Sequence, residues 1–176
     1  MPNPYNLLFK ETGVFWKSGL YPGSMKRAAY VVILILGVLG CASGRRAAEV
    51  EVVPSGWPVA RSSAVVTSEF GVPRGRSHHE GIDLSAPAGT PVKATADGVV
   101  SFAGRSGDFG RLVVIDHGGG WQTRYAHLKR IKVKKGKKVA RGDIIGTVGK
   151  SGNATGNHLH YEVRHDGRAV DPRPYL

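Results

Sequence analysis

Beyond residue 56 the apolar positions come in short runs, with none of the long 3.6-residue periodicity that marks an amphipathic helix. The segments AVVTSEF, PVKATADGVVSFAG, RLVVIDHGGGWQTRYAHL, KKVARGDIIGTVG and HLHYEVRHDGRAV are separated by turn-forming residues. Their centres, Val99, Val113, Val114, Ile115, Ile144, Ile145 and Val148, are β-branched and favour a pleated backbone, while Gly98, Gly118, Gly142 and Gly149 interrupt them. The pattern predicts a mainly β protein: a compact antiparallel sheet or sandwich with very little helix. Two glycine-rich stretches, GRSGDFG and GKSGNATGNH, fall between predicted strands and are expected to frame a groove. The 25 glycines and 10 prolines among 176 residues agree with a turn-rich β architecture.

Upstream the pattern changes. Residues 28–40, AAYVVILILGVLG, form the one continuous apolar run, preceded by MKR and followed at once by Cys41. Thirteen residues are fewer than the roughly 20 that a membrane-spanning helix needs. They fit the apolar core of a secretory signal over 25–41 with Lys26 and Arg27 as its positive flank. The quartet VLGC resembles a bacterial lipobox, which makes Cys41, the lone cysteine, the expected lipidation site. An ordinary cleaved signal or an uncleaved anchor is the alternative. Residues 1–24 lack signal character and read as an upstream segment assigned to the chain by an early start, or as a long N-region. Residues 42–55 read as a tether, and 56–176 as the single functional domain, which folds without disulfides.

The net charge of +12 alters this picture only by implying an affinity for polyanions: nucleic acid, an anionic membrane surface or an acidic wall polymer. No aromatic-rich RNA motif, cysteine-paired zinc finger or helix-turn-helix pattern accompanies the basic residues, so nucleic acid is set aside. The run KRIKVKKGKK at 129–138 reads as a solvated hairpin that also suits an anionic polymer or lipid head groups.

Candidate chemistry lies in three segments. In GNHLHYEV, His158 and His160 stand two apart on a predicted strand and share a face. In HHEGIDL, His79 and Asp83 stand four apart, with Gly81 and the following SAPAGTP favouring a loop that leads into a strand. Two imidazoles and a carboxylate make three ligands for a zinc ion, the number that leaves a catalytic site open to water. In TRYAHL, the alternation of Thr123, Tyr125 and His127 predicts that all three face the same way, bringing a further imidazole and an aromatic hydroxyl. Tyr125 is accordingly a candidate oxyanion or substrate contact, with core packing as the competing role. His117 is expected to be structural or to line the groove.

Taken together, HHEGIDLSAPAGTPV, TRYAHL and SGNATGNHLHYE resemble the three signatures of the LytM or lysostaphin-type zinc endopeptidases, which cut peptide bonds in bacterial peptidoglycan. The likeness runs from about Trp57 to Leu176. It implies His79, Asp83 and His160 as zinc ligands, and His127 and His158 as the catalytic histidines, without choosing which of the two is the base. Asn157 and His78 depart from the residues common at their positions, and neither departure removes a ligand. The resemblance also implies peptidoglycan peptides as substrate, a Zn2+ cofactor, partner enzymes of the cell wall and, with the lipobox, a membrane-anchored periplasmic lipoprotein. A non-catalytic relative that binds peptidoglycan or activates an amidase is the competing function. Such relatives have typically lost ligands, whereas all five residues are present here.

Overall fold

The computed structural model describes residues 52–176. The segments 1–24 and 25–41, with Cys41, and the first ten positions of the 42–55 tether lie outside the described residues. Short β-branched runs broken by glycine become thirteen strands: β1 (Val65–Ser68), β2 (Pro73–Arg74), β3 (Ser77–His78), β4 (Ile82–Ser85), β5 (Pro91–Lys93), β6 (Gly98–Ser106), β7 (Gly110–Gly118), β8 (Trp121–Ala126), β9 (Arg130–Ile131), β10 (Lys138–Val139), β11 (Ile144–Thr147), β12 (His158–His165) and β13 (Arg168–Val170). Three single 3₁₀ turns are the only helical pieces among the described residues, as the absence of helical periodicity predicts.

Eight strands form one antiparallel sheet in the order β1-β4-β12-β8-β7-β6-β10, with β13 also paired to β12. β12 is the hub. Its first half pairs with β4, from His158 opposite Ser85 to Tyr161 opposite Ile82. Its other side pairs with β8, from His160 opposite Ala126 to His165 opposite Trp121. Alternation then divides these strands into two faces. Ile82, Leu84, Tyr125, Leu159, Tyr161 and Val163 are wholly buried in the core, where each aliphatic side chain contributes on the order of 1.5–3 kcal/mol by leaving water. The three-stranded sheet β5-β11-β9 contributes Val92 and Ile145 to the same apolar cluster. Among the described residues, every member of that cluster lies between Trp57 and Leu176.

Two buried tyrosines carry hydroxyls into this core, where an unpaired polar group is costly. Thr95 satisfies both, its Oγ1 lying 3.0 Å from the Tyr125 hydroxyl and 2.9 Å from that of Tyr161. His117 joins the same network, with Nε2 2.7 Å from Thr123 Oγ1 and Nδ1 2.7 Å from the Asp97 carbonyl. Buried in this way, it is structural. The tether ends before residue 56: Pro54 is buried, Ser55 N–H donates to the Thr95 carbonyl and Gly56 N–H to that of Tyr175.

Candidate metal centre

The register of β4 on β12 sets Asp83 directly opposite His160, both on the face away from the core. His79 reaches them from the turn after β3. Its N–H donates to the Val72 carbonyl, and Gly71 N–H donates to its own carbonyl. Gly81 makes this approach feasible. A Cβ there would stand 2.4 Å from the Tyr161 carbonyl and 2.9 Å from His160 Cε1, so only glycine lets the turn press against β12.

Three donor atoms converge. His79 Nε2 lies 3.1 Å from Asp83 Oδ1 and 3.0 Å from His160 Nδ1, and His160 Nδ1 lies 2.9 Å from Asp83 Oδ1. The opposite ring nitrogens fix the tautomers. His79 Nδ1 is 2.7 Å from the Glu69 carbonyl, and His160 Nε2 is 3.1 Å from the Glu162 carboxylate; acceptors at those positions call for N–H groups. What remains facing inward is lone pairs: two imidazole nitrogens and a carboxylate oxygen. Zinc bonds of about 2.0–2.1 Å in a tetrahedron separate ligand atoms by about 3.3 Å, so the triangle fits zinc with a small expansion. All three residues are nearly buried, and these three are the one His/Cys/Asp/Glu group among the described residues whose donors meet this closely.

Each ligand has an outer partner. The Arg74 guanidinium donates to Asp83 Oδ2 at 2.9 Å, leaving Oδ1 for the centre. Glu162, wholly buried behind His160, accepts from Arg164 at 2.8 Å and stands 3.6 Å from Arg124, while Arg164 also reaches Glu80 at 2.9 Å. Burial would raise the Glu162 carboxyl, but hydrogen bonds from His160 and Arg164 outweigh it and keep the group ionised. Burial likewise opposes ionisation of Asp83, and contacts with His160 and His79 hold it well below the usual carboxylate range. Burial disfavours a charge on His160, yet the carboxylates on either side raise its proton affinity, which marks the centre as a place that favours positive charge.

His127 and His158 stand beside the centre. His127 Nδ1 is 2.8 Å from the Ser151 carbonyl and His158 Nδ1 is 3.1 Å from that of Gly156, so in each ring Nε2 is left as the acceptor. Their ring centroids are 4.7 Å apart, and His158 Nε2 lies 3.8 Å from Asp83 Oδ1. Burial depresses His127 below the ordinary histidine range, with further lowering from His158 and His160, so the ring is neutral at pH 7. All five residues line one groove of about 910 Å3. Its walls come from the β2–β3 hairpin and the two glycine-rich loops, which are knitted together. Asn153 N–H donates to the Asp108 carbonyl, His127 N–H to that of Phe109, and a Cβ on Gly110 would meet Gly152 N at 2.4 Å.

One expectation needs correction. Thr123, Tyr125 and His127 do not share a face. β8 ends at Ala126, and His127 adopts a left-handed backbone with φ 59°, which turns its ring into the groove. Tyr125 stays on the core face, wholly buried against Thr95 and Thr123, and does not line the groove. The oxyanion or substrate contact expected of it does not go with that placement. His78 lines the groove but stays outside the ligand triangle. The outer partners Arg74, Arg124, Arg164 and Glu162 were not anticipated. Glu162 was within reach of the same two-residue alternation that paired His158 with His160.

A β-sheet groove in which two imidazoles and a carboxylate converge, with two further imidazoles beside them, fits the class of a metal-dependent hydrolase. The chain belongs to peptidase family M23, whose model matches residues 77–172. Over 94 residues it is 51% identical to the DD-carboxypeptidase/endopeptidase Mpg of Neisseria meningitidis, covering 53% of this chain and 22% of that protein. A zinc-containing peptidase from Vibrio cholerae aligns with a TM-score of 0.64 at 37% identity, over 69% of this chain and 39% of that one. The catalytic domain of lysostaphin from Staphylococcus simulans aligns with a TM-score of 0.58 at 32% identity, over 64% and 91%. The chain spans about a fifth of the length of the curated relative. No helix among the described residues is long and apolar enough to cross a membrane.

Proposed function

We propose that the domain is a zinc-dependent endopeptidase that hydrolyses cross-linking or stem peptides of bacterial peptidoglycan. The observation that carries the proposal is the completeness of the centre: three converging lone pairs, an outer partner for each ligand and two further imidazoles at an open groove. The relatives' names, a DD-carboxypeptidase/endopeptidase and a peptidoglycan DD-endopeptidase, support the substrate class.

His79, Asp83 and His160 would hold the metal. When bound, zinc supplies Lewis acidity that polarises an amide carbonyl and acidifies water. The remaining steps fall to the chain's own groups. Glu162 and the Glu69 carbonyl hold the two ligand rings in register, and Arg74 engages Asp83 Oδ2, leaving Oδ1 for the centre. His127, kept neutral by burial, presents Nε2 as the proton acceptor for an attacking water and would pass that proton on to the departing amine. His158, less buried and with its ring 4.7 Å from that of His127, is placed to orient the water. The loops that carry Phe109 and Asn153 confine an extended peptide between them and the β2–β3 hairpin.

The same reading takes residues 25–41 as an export signal, with Cys41 as the lipid anchor that keeps the domain at a membrane surface. Incubation with purified peptidoglycan of defined cross-link chemistry, with product masses read out, is the test. Cross-linked fragments should fall to monomers with zinc, and should persist with chelator or with His160→Ala. Folded, zinc-loaded protein that leaves every wall type uncut overturns the proposal.

A further inference from the structure

Arg74, Arg124, Arg164 and Arg173 are each paired with a carboxylate. The segment 129–138 is different, and it is not the hairpin that its sequence predicts: β9 pairs with β11 and β10 with β6, so it crosses from one sheet to the other. Lysine or arginine fills seven of its ten positions, Lys129, Arg130, Lys132, Lys134, Lys135, Lys137 and Lys138, with no acidic residue among them. All seven are exposed, and no lysine of the described residues takes part in an ion pair. The nearby carboxylates are engaged locally, Asp143 with the Ala140 N–H and Asp97 with the Arg141 N–H. Concentrating like charge on one segment without counter-ions works against folding, and nothing in the proposed hydrolysis uses it.

Two further observations say what covers this face. Exposed aliphatic side chains lie among the lysines: Val99, opposite Lys138 in the β6–β10 ladder, and Ile144, opposite Lys93 in the β5–β11 ladder. A hydrated polymer has no use for them, whereas the head-group layer of a bilayer takes both the charge and the apolar tips. The second is where the described chain begins. Its first residues run beside β5, with Ser55 N–H on the Thr95 carbonyl and Lys93 N–H on that of Pro58. β5 and β9 are the outer strands of a three-stranded sheet, so Arg130 lies two strand spacings away, about 10 Å. Between the apolar run 28–40 and Val52 stand eleven residues, with a reach of at most roughly 36–40 Å.

We propose that the face formed by the 129–138 segment with Val99 and Ile144 docks on an anionic lipid surface, fixing the orientation of the domain on the membrane. This rests on the reading that residues 28–41 bring the chain to a membrane. Lysine, a compact point charge that fills six of the seven cationic positions of the segment, suits diffuse attraction to head groups.

The test uses the full chain reconstituted in phosphatidylcholine vesicles with or without phosphatidylglycerol. Tryptic cleavage at Lys134, Lys135 and Lys137 should be strongly slowed only by the anionic vesicles, and high salt should abolish the protection. In a second measurement, residues 44–176, the compact unit that holds the described core, are checked for cooperative unfolding and partitioned onto the same vesicles. K134Q/K135Q/K137Q should weaken binding to the anionic ones roughly fivefold per lysine, on the order of a hundredfold in all. The variant should digest soluble cross-linked muropeptides as the parent does, which separates this proposal from the endopeptidase reading. Equal cleavage on both vesicle types overturns the proposal. So does protection by polyphosphate or wall sacculi without protection by anionic vesicles, which would assign the face to a polymer.

Discussion

Strands β8 and β12 carry two unlike surfaces on one backbone. On the groove face of β12, His158, His160, Glu162 and Arg164 succeed one another at every second position, each tied to a charge or a backbone carbonyl. On the core face, Leu159, Tyr161 and Val163 are wholly buried among apolar neighbours, and the one hydroxyl present meets Thr95. One surface spends stability on confined charge, and the other supplies it. The contrast teaches that function and folding are interleaved residue by residue here, so neighbouring substitutions should have opposite signatures.

His160→Ala gives the sharpest break on the groove side. It removes a proposed ligand, and cleavage should fall by more than the roughly 100-fold that marks loss of an outer partner, while the melting temperature without zinc changes little. Its chain neighbour should do the reverse. Leu159→Ala, at a wholly buried position, should cost about 2–5 kcal/mol by denaturant unfolding, with activity per folded molecule unchanged. If Leu159→Ala lowers zinc affinity as strongly as His160→Ala, the two faces are not independent.

Two further variants probe the contacts between the faces. Glu162→Gln keeps shape and a hydrogen-bond acceptor but removes the charge behind His160, and zinc affinity measured by chelator competition should weaken about 10–100-fold. Gly81→Ala should disturb both faces at once. Its methyl would meet the Tyr161 carbonyl at 2.4 Å and His160 Cε1 at 2.9 Å, so a loss of about 1–3 kcal/mol should accompany weaker zinc binding. A variant that keeps full stability and affinity would show that the turn has room which the geometry denies it.

These contacts also show how far the sequence could be read. Strand alternation was enough to pair His158 with His160, and the β-branched runs were enough to predict an antiparallel β domain, because both depend on local periodicity. The same rule failed at His127, since it assumes that a strand continues. A single left-handed residue reverses the side-chain direction, and no local signal in TRYAHL announces it. Arg74 and Glu162 were missed for another reason. Partners of a ligand are set by how separate segments pack, here the β2–β3 hairpin that brings Arg74 to Asp83 on β4, and such packing is invisible until the fold is known. Glu162 is the partial exception, being on the strand of the ligand it supports.

The smallest effect expected is a pH dependence of stability, and it separates the two faces once more. On the core side, burial depresses His117 below its unfolded value, against weaker raising contacts from the Asp97 carbonyl and the Asp116 and Asp97 charges. A depressed histidine favours the folded state while it is neutral. Its contribution is therefore fully present above the unfolded value of about 6.5 and is lost as pH falls below that value toward the folded one, at no more than about 1.4 kcal/mol per pH unit. His117→Gln, which keeps polar contact with Thr123, should flatten this limb in unfolding measured at a series of pH values without altering the acid limb of cleavage. That second limb is assigned to His127, whose neutral form is the proposed proton acceptor, and it should lie below 6.5 because burial depresses this ring too. If His117→Gln shifts the cleavage limb as well, protonation in the core is felt in the groove, and the division between the two faces fails at its weakest point, the shared backbone of β8.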